Sequence, residues 1–221
     1  AGLEAFFVVR KADTNLDELI TNYSLWITGK PGVGKTASIT RALLSRNVEP
    51  FYISLGSCIG SSINELLNEI YLCLLNDDSH ESLPLSNLSC LRNICSLIKE
   101  KSKRPFYLFI EEIPISCEEK FLKFSEHIYS IIMSTNNSSN FRLILSSIFS
   151  PNSNFKPEME KINEKFKIHE WPTWSETDLA RLARIIEADT GLEIMNKKAM
   201  SDFRGTPREM KVYCRDELAR A

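Results

Sequence analysis

Residues 29–36, GKPGVGKT, place three glycines, a lysine and a threonine in the pattern GxxxxGK[ST]. Glycine lets the backbone turn so that several N–H groups point inward, and the positive end of a following helix adds to their attraction for anions. Lys35 can reach the outer phosphates of a polyphosphate, and the Thr36 hydroxyl can coordinate magnesium. A turn that binds nothing is the weaker alternative, because an apolar strand precedes the segment and a helical pattern follows it. We therefore expect a nucleoside triphosphate to contact Gly29, Lys30, Pro31, Gly32, Val33, Gly34, Lys35, Thr36 and Ala37.

Two acids, Glu111 and Glu112, come directly after the apolar run 106–110, FYLFI. Ligands of parallel sheets collect beyond the carboxyl ends of the strands, so both acids are expected near the phosphates if this strand lies close to the strand before the loop. Glu111 is then predicted to orient, through water, the magnesium ion that Thr36 coordinates, and Glu112 to polarise an attacking water as a general base. A solvated acidic turn is the alternative.

The elements that must position these residues alternate between short apolar strands and helical patterns. This alternation predicts an α/β fold with a parallel sheet covered on both faces. Polar stretches at 76–81 and 134–140 are predicted as exposed loops. Strands are predicted at 24–28, 51–55, 106–110, 141–146 and 166–170.

Beyond residue 171 the strands stop and helical patterns follow. A capping box at 175–178 starts one helix, 196–203 is predicted as a short second helix, and Thr206 with Pro207 starts a third. We therefore expect an α/β core over 1–171 and a small helical lid over 172–221.

Composition limits the function classes. The chain has 221 residues and a formal net charge of −2, whereas duplex-binding modules usually carry a strong basic excess. A local basic patch is left open. No apolar run approaches the roughly 20 residues that span a bilayer, so no membrane partner is expected. The six cysteines form no CxxC pair, which favours reduced, buried thiols and a cytoplasmic or nuclear location.

Taken together, these residues resemble the AAA+ ATPases and the closely similar STAND and archaeal-type ATPases, including the origin-recognition branch. The resemblance covers almost the whole chain; it is specific at 29–36, GKPGVGKT, and weaker at 106–112, FYLFIEE. It implies a P-loop ATPase that uses ATP and Mg²⁺, a five-stranded sheet in the order 5-1-4-3-2, and a C-terminal lid that closes on the nucleotide.

The resemblance also implies catalytic positions beyond Lys35 and Glu112. A small polar residue at the end of strand four senses the γ-phosphate in such ATPases, which indicates Ser146, with Ser147 as second choice. Two features depart from the family. Hydrolytic members usually carry Asp then Glu where this chain has two glutamates, and 147–167 contains no arginine to act as a finger on a neighbouring subunit.

Two further segments match by family logic. The segment 205–208, GTPR, resembles the G-x-P-R segment of the lid, which would bring Pro207 and Arg208 to the nucleotide and make Arg208 a catalytic residue. A solvent-facing arginine is the alternative. The leading segment resembles the one that packs against adenine, although an ordinary leading segment is an equal alternative; its residues are Val8, Val9 and Arg10.

Three functional classes are left open. In the first, ATP closes the lid and drives self-association or engagement of a protein partner or DNA; its variant is a STAND-like switch that hydrolyses slowly and controls an attached effector. The second is a small-molecule kinase, which the acid pair and the G-x-P-R segment disfavour. The third is a nucleotide-binding scaffold without turnover. The helical pattern from Glu209 continues to Ala221, which is compatible with a larger protein whose other domains carry the specific task.

Overall fold

The computed structural model describes residues 7–75, 86–135, 140–151 and 164–220. Across these residues, five parallel strands form one sheet in the order β2-β3-β4-β1-β5. This confirms the predicted order, counted from the opposite edge, and each predicted strand is found to within one residue at either end. The strands are β1 (Ser24–Thr28), β2 (Phe51–Ser54), β3 (Phe106–Glu111), β4 (Phe141–Ser147) and β5 (Phe166–Glu170).

Helices cover both faces of the sheet because successive strand residues point to opposite sides. On β1, Leu25 and Ile27 pack into a cluster with residues of α1 and α2. Trp26 lies between them in sequence and points to the other face. There the centroid of its ring is 5.7 Å from that of Phe121 on α5 (Glu118–Thr135). The helices of the core are α1 (Lys11–Asn22), α2 (Lys35–Leu44), α3 (Ile63–Leu75), α4 (Asn87–Lys101) and α5 (Glu118–Thr135).

The strand register brings the predicted site residues to one edge of the sheet. Strand β4 lies between β1 and β3, with Ser147 opposite Thr28 and Leu145 opposite Ile110. The loop after β1, the acids after β3 and the serines that end β4 therefore start from adjacent carboxyl ends, which is where open α/β sheets bind ligands.

The C-terminal helices have their own small core. They are α6 (Glu176–Thr190), α7 (Ile194–Lys197) and α8 (Pro207–Leu218), with a 3₁₀ turn at Met200–Phe203. The Ser175 hydroxyl accepts a 3.1 Å hydrogen bond from the Asp178 N–H and so caps α6. Val8 is buried in this cluster with residues of α6 and α8, so the leading segment packs against the lid. The division at residue 171 stays a prediction.

The predicted single helix over 196–203 is wrong. Helix α7 ends at Lys197, Lys198 is extended, and the 3₁₀ turn begins at Met200. Both Ile194 and Phe203 are buried in the lid core. They are nine residues apart, and about 100° per residue would put them on opposite faces of one continuous helix. The break lets both side chains reach the same core.

The loop prediction at 134–140 is also partly wrong. Ser134 and Thr135 are the last residues of α5, and the buried Thr135 hydroxyl donates to the carbonyl of Ile131 at 2.8 Å. The rest of that stretch up to residue 139, and the predicted loop at 76–81, lie outside the described residues.

The cysteines are unpaired, as predicted. Cys90, Cys95 and Cys214 are buried, whereas Cys117 is exposed, contrary to the expectation of buried thiols. Burial raises the pKa of Cys90 to about 11, so this thiol stays protonated at neutral pH. In the described ranges, no helix combines the length and apolarity that a membrane crossing needs.

Candidate active site

The predicted phosphate loop connects β1 to α2. Gly32 and Gly34 have φ angles of 80° and 92°, in the left-handed region that glycine adopts without strain. Gly34 is the N-cap of α2, so the helix N–H groups that lack an intrahelical acceptor follow directly after it. Lys35 Nζ donates to the carbonyls of Gly29 at 2.7 Å and Lys30 at 2.9 Å. The lysine is therefore folded back over the loop that precedes it.

The lid arginine lies directly over this loop. A Cβ added at Gly32 would come within 2.9 Å of Cβ and 3.2 Å of Cδ of Arg208. Arg208 is in the first turn of α8, which Thr206 caps by accepting a 3.4 Å bond from the Glu209 N–H, and Pro207 is the first residue of that helix. The predicted helix start thus brings Arg208 against the glycine-rich loop, and only glycine leaves room for this contact.

The first acid joins the loop helix to the sheet. Glu111 ends β3 with only 6% of its surface exposed. Its Oε2 accepts a 2.5 Å hydrogen bond from the Thr36 hydroxyl, and its Oε1 accepts one from the Tyr52 hydroxyl of β2. Burial, together with this bond to Glu111, raises the pKa of Tyr52 to about 12. The predicted metal-binding pair, Thr36 and Glu111, is therefore assembled, with Tyr52 as a partner that the sequence analysis missed.

The side chain of the second acid, Glu112, is held by strand β2. Glu112 has a φ of 55°, which breaks the strand alternation after Glu111. Its Oε2 accepts a 2.5 Å bond from the Ser54 hydroxyl, and a Cβ at Gly56 would come within 2.5 Å of the same oxygen. The carboxylate of Glu112 is therefore directed toward β2 by a serine that sequence reasoning did not single out.

The two serines at the end of β4 differ in their bonding. The Ser147 hydroxyl accepts from Trp26 Nε1 at 2.8 Å and donates to the Phe149 carbonyl at 2.6 Å. Ser146 is equally buried, at 5% exposed, and its hydroxyl forms no hydrogen bond to the described residues. Of the two predicted positions, Ser146 therefore has the hydroxyl that is available to a ligand.

Part of the glycine-rich loop, the two acids after β3 and the two serines that end β4 line one cleft of about 720 Å³. The cleft wall on the lid side is a face of α8 that carries Arg208, Lys211 and Arg215. Their spacing of three and four residues puts the side chains within about 60° of one another around the helix. The remaining lining residues are Pro31, Gly32, Gly34, Lys35, Thr36, Ala37, Glu111, Glu112, Ile113, Ser146, Ser147, Ile148, Pro207 and Val212.

The cleft is electrostatically suited to an anion beside a metal site. Burial is the main reason that the pKa of Lys35 lies below its usual value; the nearby Arg208 lowers this pKa further, while Glu111 raises it. Lys35 and Arg208 therefore repel each other across the loop. A polyphosphate between them would remove this repulsion, and the oxygens of Thr36 and Glu111 are the hard ligands that Mg²⁺ prefers. The residues present fit both groups.

A clamp of two tryptophans ties the loop to the segment between β5 and α6. Trp174 Nε1 donates to the Val33 carbonyl at 2.9 Å, and Trp171 Nε1 donates to the same oxygen at 3.3 Å. The Arg10 guanidinium lies 4.6 Å from the ring centroid of Trp174 and 5.2 Å from that of Trp171. Its Nε lies 3.5 Å from Asp13 Oδ2. The tryptophans could not be predicted from local sequence patterns, because their bonds to Val33 span about 140 residues of chain.

The residues predicted to frame adenine lie outside the cleft. Val8 is buried with the lid, Val9 is half exposed, and Arg10 is buried between the tryptophans. Their contact with a base stays a prediction.

Comparison with known proteins places this geometry in a fold family. No protein-family profile and no curated protein matches the sequence. Among solved structures, Cdc6p from Pyrobaculum aerophilum superposes with a TM-score of 0.54 at 15% identity, over 86% of this chain and 54% of that one. RuvB, the Holliday junction branch migration motor of Thermotoga maritima, superposes with a TM-score of 0.50 at 17% identity, over 92% and 59%. The chain has the fold of the AAA+ P-loop ATPases.

A third AAA+ structure is the ORC1 protein of Aeropyrum pernix in complex with DNA, with a TM-score of 0.50, 15% identity, and coverage of 85% of this chain and 53% of that one. The chain thus spans between 53% and 59% of the length of these three AAA+ proteins. The resemblance to AAA+ ATPases of the origin-recognition kind is confirmed at the level of the fold.

Proposed function

We propose that the chain binds ATP with Mg²⁺ in the cleft and hydrolyses it, and that the nucleotide controls the position of the lid. The observation that carries the proposal is the meeting of three parts in one cleft: the glycine-rich loop, the acids after β3, and the cationic face of α8. This combination suits a triphosphate, because the cations can bind its oxygens while a carboxylate activates water.

Each part has a distinct role in this proposal. The loop N–H groups and Lys35 hold the phosphates, Arg208 binds them from the lid, and the free Ser146 hydroxyl faces the γ-phosphate. Thr36 and Glu111 would hold Mg²⁺, which would supply positive charge at the phosphate oxygens.

Glu112 is the general base of this scheme. Its Oε2 accepts from Ser54, so its other oxygen is the one that would orient the attacking water and take its proton. The side chain must keep or exchange this serine bond as ATP binds.

The lid follows from the same electrostatics. Because Arg208 is on α8 and Lys35 is on α2, a triphosphate between them joins the lid to the core. Hydrolysis and release of phosphate would restore the repulsion between the two cations and loosen the lid.

A slow switch is the second candidate, and one observation favours it. Glu112 is bonded to Ser54 rather than free in the cleft, and no arginine occurs between 147 and 167 to supply a finger to a neighbouring subunit. In that version ATP binding, not rapid turnover, is the signal, and the lid reports it to a partner or an attached effector.

The test uses two substitutions, each with a control at an exposed residue. Lys35→Ala should abolish binding of a fluorescent ATP analogue, whereas the exposed Lys103→Ala should bind normally. Glu112→Gln should retain ATP and lose phosphate release by about 10²–10⁴-fold, with the exposed Glu126→Gln as its control. Unchanged phosphate release in Glu112→Gln would point to a kinase-type site, and wild-type protein that binds ATP without turnover would be a scaffold.

Self-association and DNA engagement are the outputs that a closed lid could control. RuvB is a Holliday junction branch migration motor, and the ORC1 structure contains DNA. Light scattering after size-exclusion chromatography, with and without ATP and duplex DNA, separates the two outputs. An increase in molar mass with ATP alone indicates self-association. An increase that also needs DNA indicates a nucleic-acid role.

A further inference from the structure

Tyr52 bonds the buried carboxylate of Glu111 from the edge of the sheet. It lies on β2 opposite Phe109 of β3, and its ring packs edge-on against that phenylalanine with centroids 5.5 Å apart. Half of the residue is exposed, yet its hydroxyl donates to Glu111 Oε1. The aromatic contact holds the ring against β3, and the hydroxyl reaches the acid.

Two hydroxyl donors hold the carboxylate of Glu111. It is 6% exposed, and none of the ion pairs found among the described residues involves it. A buried carboxylate is costly unless hydrogen bonds compensate for lost water. Here each oxygen has one such bond, from Thr36 to Oε2 and from Tyr52 to Oε1.

The length of the side chain makes the second donor important. Glutamate has one more rotatable bond than aspartate, so its carboxylate can adopt more positions and loses more entropy when fixed. The Tyr52 bond holds one oxygen, which leaves the other directed at Thr36 on the loop helix. Strand β2 repeats this device two residues later, where Ser54 holds Glu112. The edge strand therefore aligns both acids.

We propose that Tyr52 is a positioning residue for magnesium: it anchors Oε1 of Glu111, so that Oε2 and the Thr36 hydroxyl form a fixed pair of oxygens for the ion. The inference rests on the proposed function and deepens it, because it explains how a glutamate serves at this position. Partners of this outer kind typically change metal affinity by about 10–100-fold when they are removed.

The test is Tyr52→Phe, which removes only the hydroxyl and keeps the ring contact with Phe109. Binding of a fluorescent, non-hydrolysable ATP analogue is titrated in EDTA and over a range of Mg²⁺ concentrations. In Tyr52→Phe, the Mg²⁺ concentration that gives half of the maximal increase in affinity for the analogue should rise by about 10-fold or more. The affinity for the analogue in EDTA should stay within about 2-fold of wild type. Tyr107→Phe, on the neighbouring strand and bonded to neither acid, is the matched control and should follow wild type.

The possible outcomes distinguish failure of the Tyr52 proposal from failure of the proposed ATP-binding function. A Tyr52→Phe protein with the wild-type Mg²⁺ response overturns the role of Tyr52 alone. Loss of binding in EDTA, or a melting temperature well below that of Tyr107→Phe, shows a structural role and also overturns it. If wild-type protein binds no analogue, the proposed function fails. If it binds equally with and without Mg²⁺, the metal site fails and the inference fails with it.

Discussion

The indole N–H of Trp174 donates a 2.9 Å hydrogen bond to the carbonyl oxygen of Val33. Val33 is in the middle of the glycine-rich loop, and Trp174 precedes the first lid helix, so one bond connects the binding loop to the start of the lid. A phosphate that displaces the loop would therefore also displace the start of the lid through this hydrogen bond.

Removing this bond should weaken nucleotide binding while the fold persists. Trp174→Phe keeps an aromatic ring against Arg10 but removes the indole donor. We expect a loss of about 0.5–1.5 kcal/mol, or about 2–10-fold in Kd for an ATP analogue, measured by fluorescence titration. The melting temperature is the control for folding. Unchanged affinity in a normally folded variant would show that the bond from Trp174 to Val33 has no part in binding.

The contact between Gly32 and Arg208 predicts a specific steric effect. Gly32→Ala puts a methyl group 2.9 Å from Arg208 Cβ at a φ of 80°, so it should push α8 off the loop and weaken ATP binding by at least about 10-fold. The control is Gly60→Ala, at a φ of 85° with no atom within 4 Å of the new Cβ. Both variants should lose about 1 kcal/mol of stability from backbone strain, measured by urea unfolding. Equal affinity in the two variants would contradict the prediction.

Arg208 itself should contribute a charge-assisted bond to the nucleotide. Arg208→Ala is expected to weaken ATP binding by about 1.5–3 kcal/mol, or about 10–150-fold in Kd. The exposed Arg184 of α6 is the control, because Arg184→Ala removes the same charge from the lid away from the cleft. Isothermal titration calorimetry at constant ionic strength gives both values, and similar small losses in the two variants would show that Arg208 does not bind the nucleotide.

Stability should fall on mild acidification because of His169. Burial lowers the pKa of this residue on β5, and its Nε2 is buried without a hydrogen bond among the described residues. The pKa of the folded state is thus below the unfolded value of about 6.5, and protonation favours unfolding. The contribution is fully present above that value and is lost as the pH falls below it. Burial also lowers the pKa of His127.

The measurement compares urea unfolding at pH 7.5 and pH 5.5. The free energy of unfolding should decrease toward pH 5.5, and the double variant His127→Gln, His169→Gln should show a smaller decrease, whatever its absolute stability. An unchanged slope in the double variant would assign the pH dependence to other groups.

The strands and the capped helices could be predicted because their signals are local. The apolar run before Glu111 and the Thr206-Pro207 start of α8 each depend on residues within a few positions of one another. The sequence spacing of Arg208, Lys211 and Arg215 also predicts one shared helix face. We predicted a nucleotide-binding role for Arg208 alone, whereas all three residues line the cleft.

The missed partners depend on tertiary contacts. Tyr52 and Ser54 reach the acids only because β2 pairs with β3 in one register, with Ser54 opposite Glu111. A shift of one residue would have turned both side chains to the other face. The break in the helix after Lys197 likewise follows from Ile194 and Phe203, two apolar residues that share the small lid core.

The positive φ of Glu112 has an evolutionary consequence. Left-handed backbone suits glycine or asparagine, and another residue there costs on the order of 1–3 kcal/mol. The chain keeps a glutamate at this position, so if Glu112 is the general base, turnover is what retains it against that cost. Descendants of this sequence that abandon hydrolysis should drift toward glycine or asparagine here before other cleft positions change, and the amino acid found at this place would mark which homologues still consume their nucleotide.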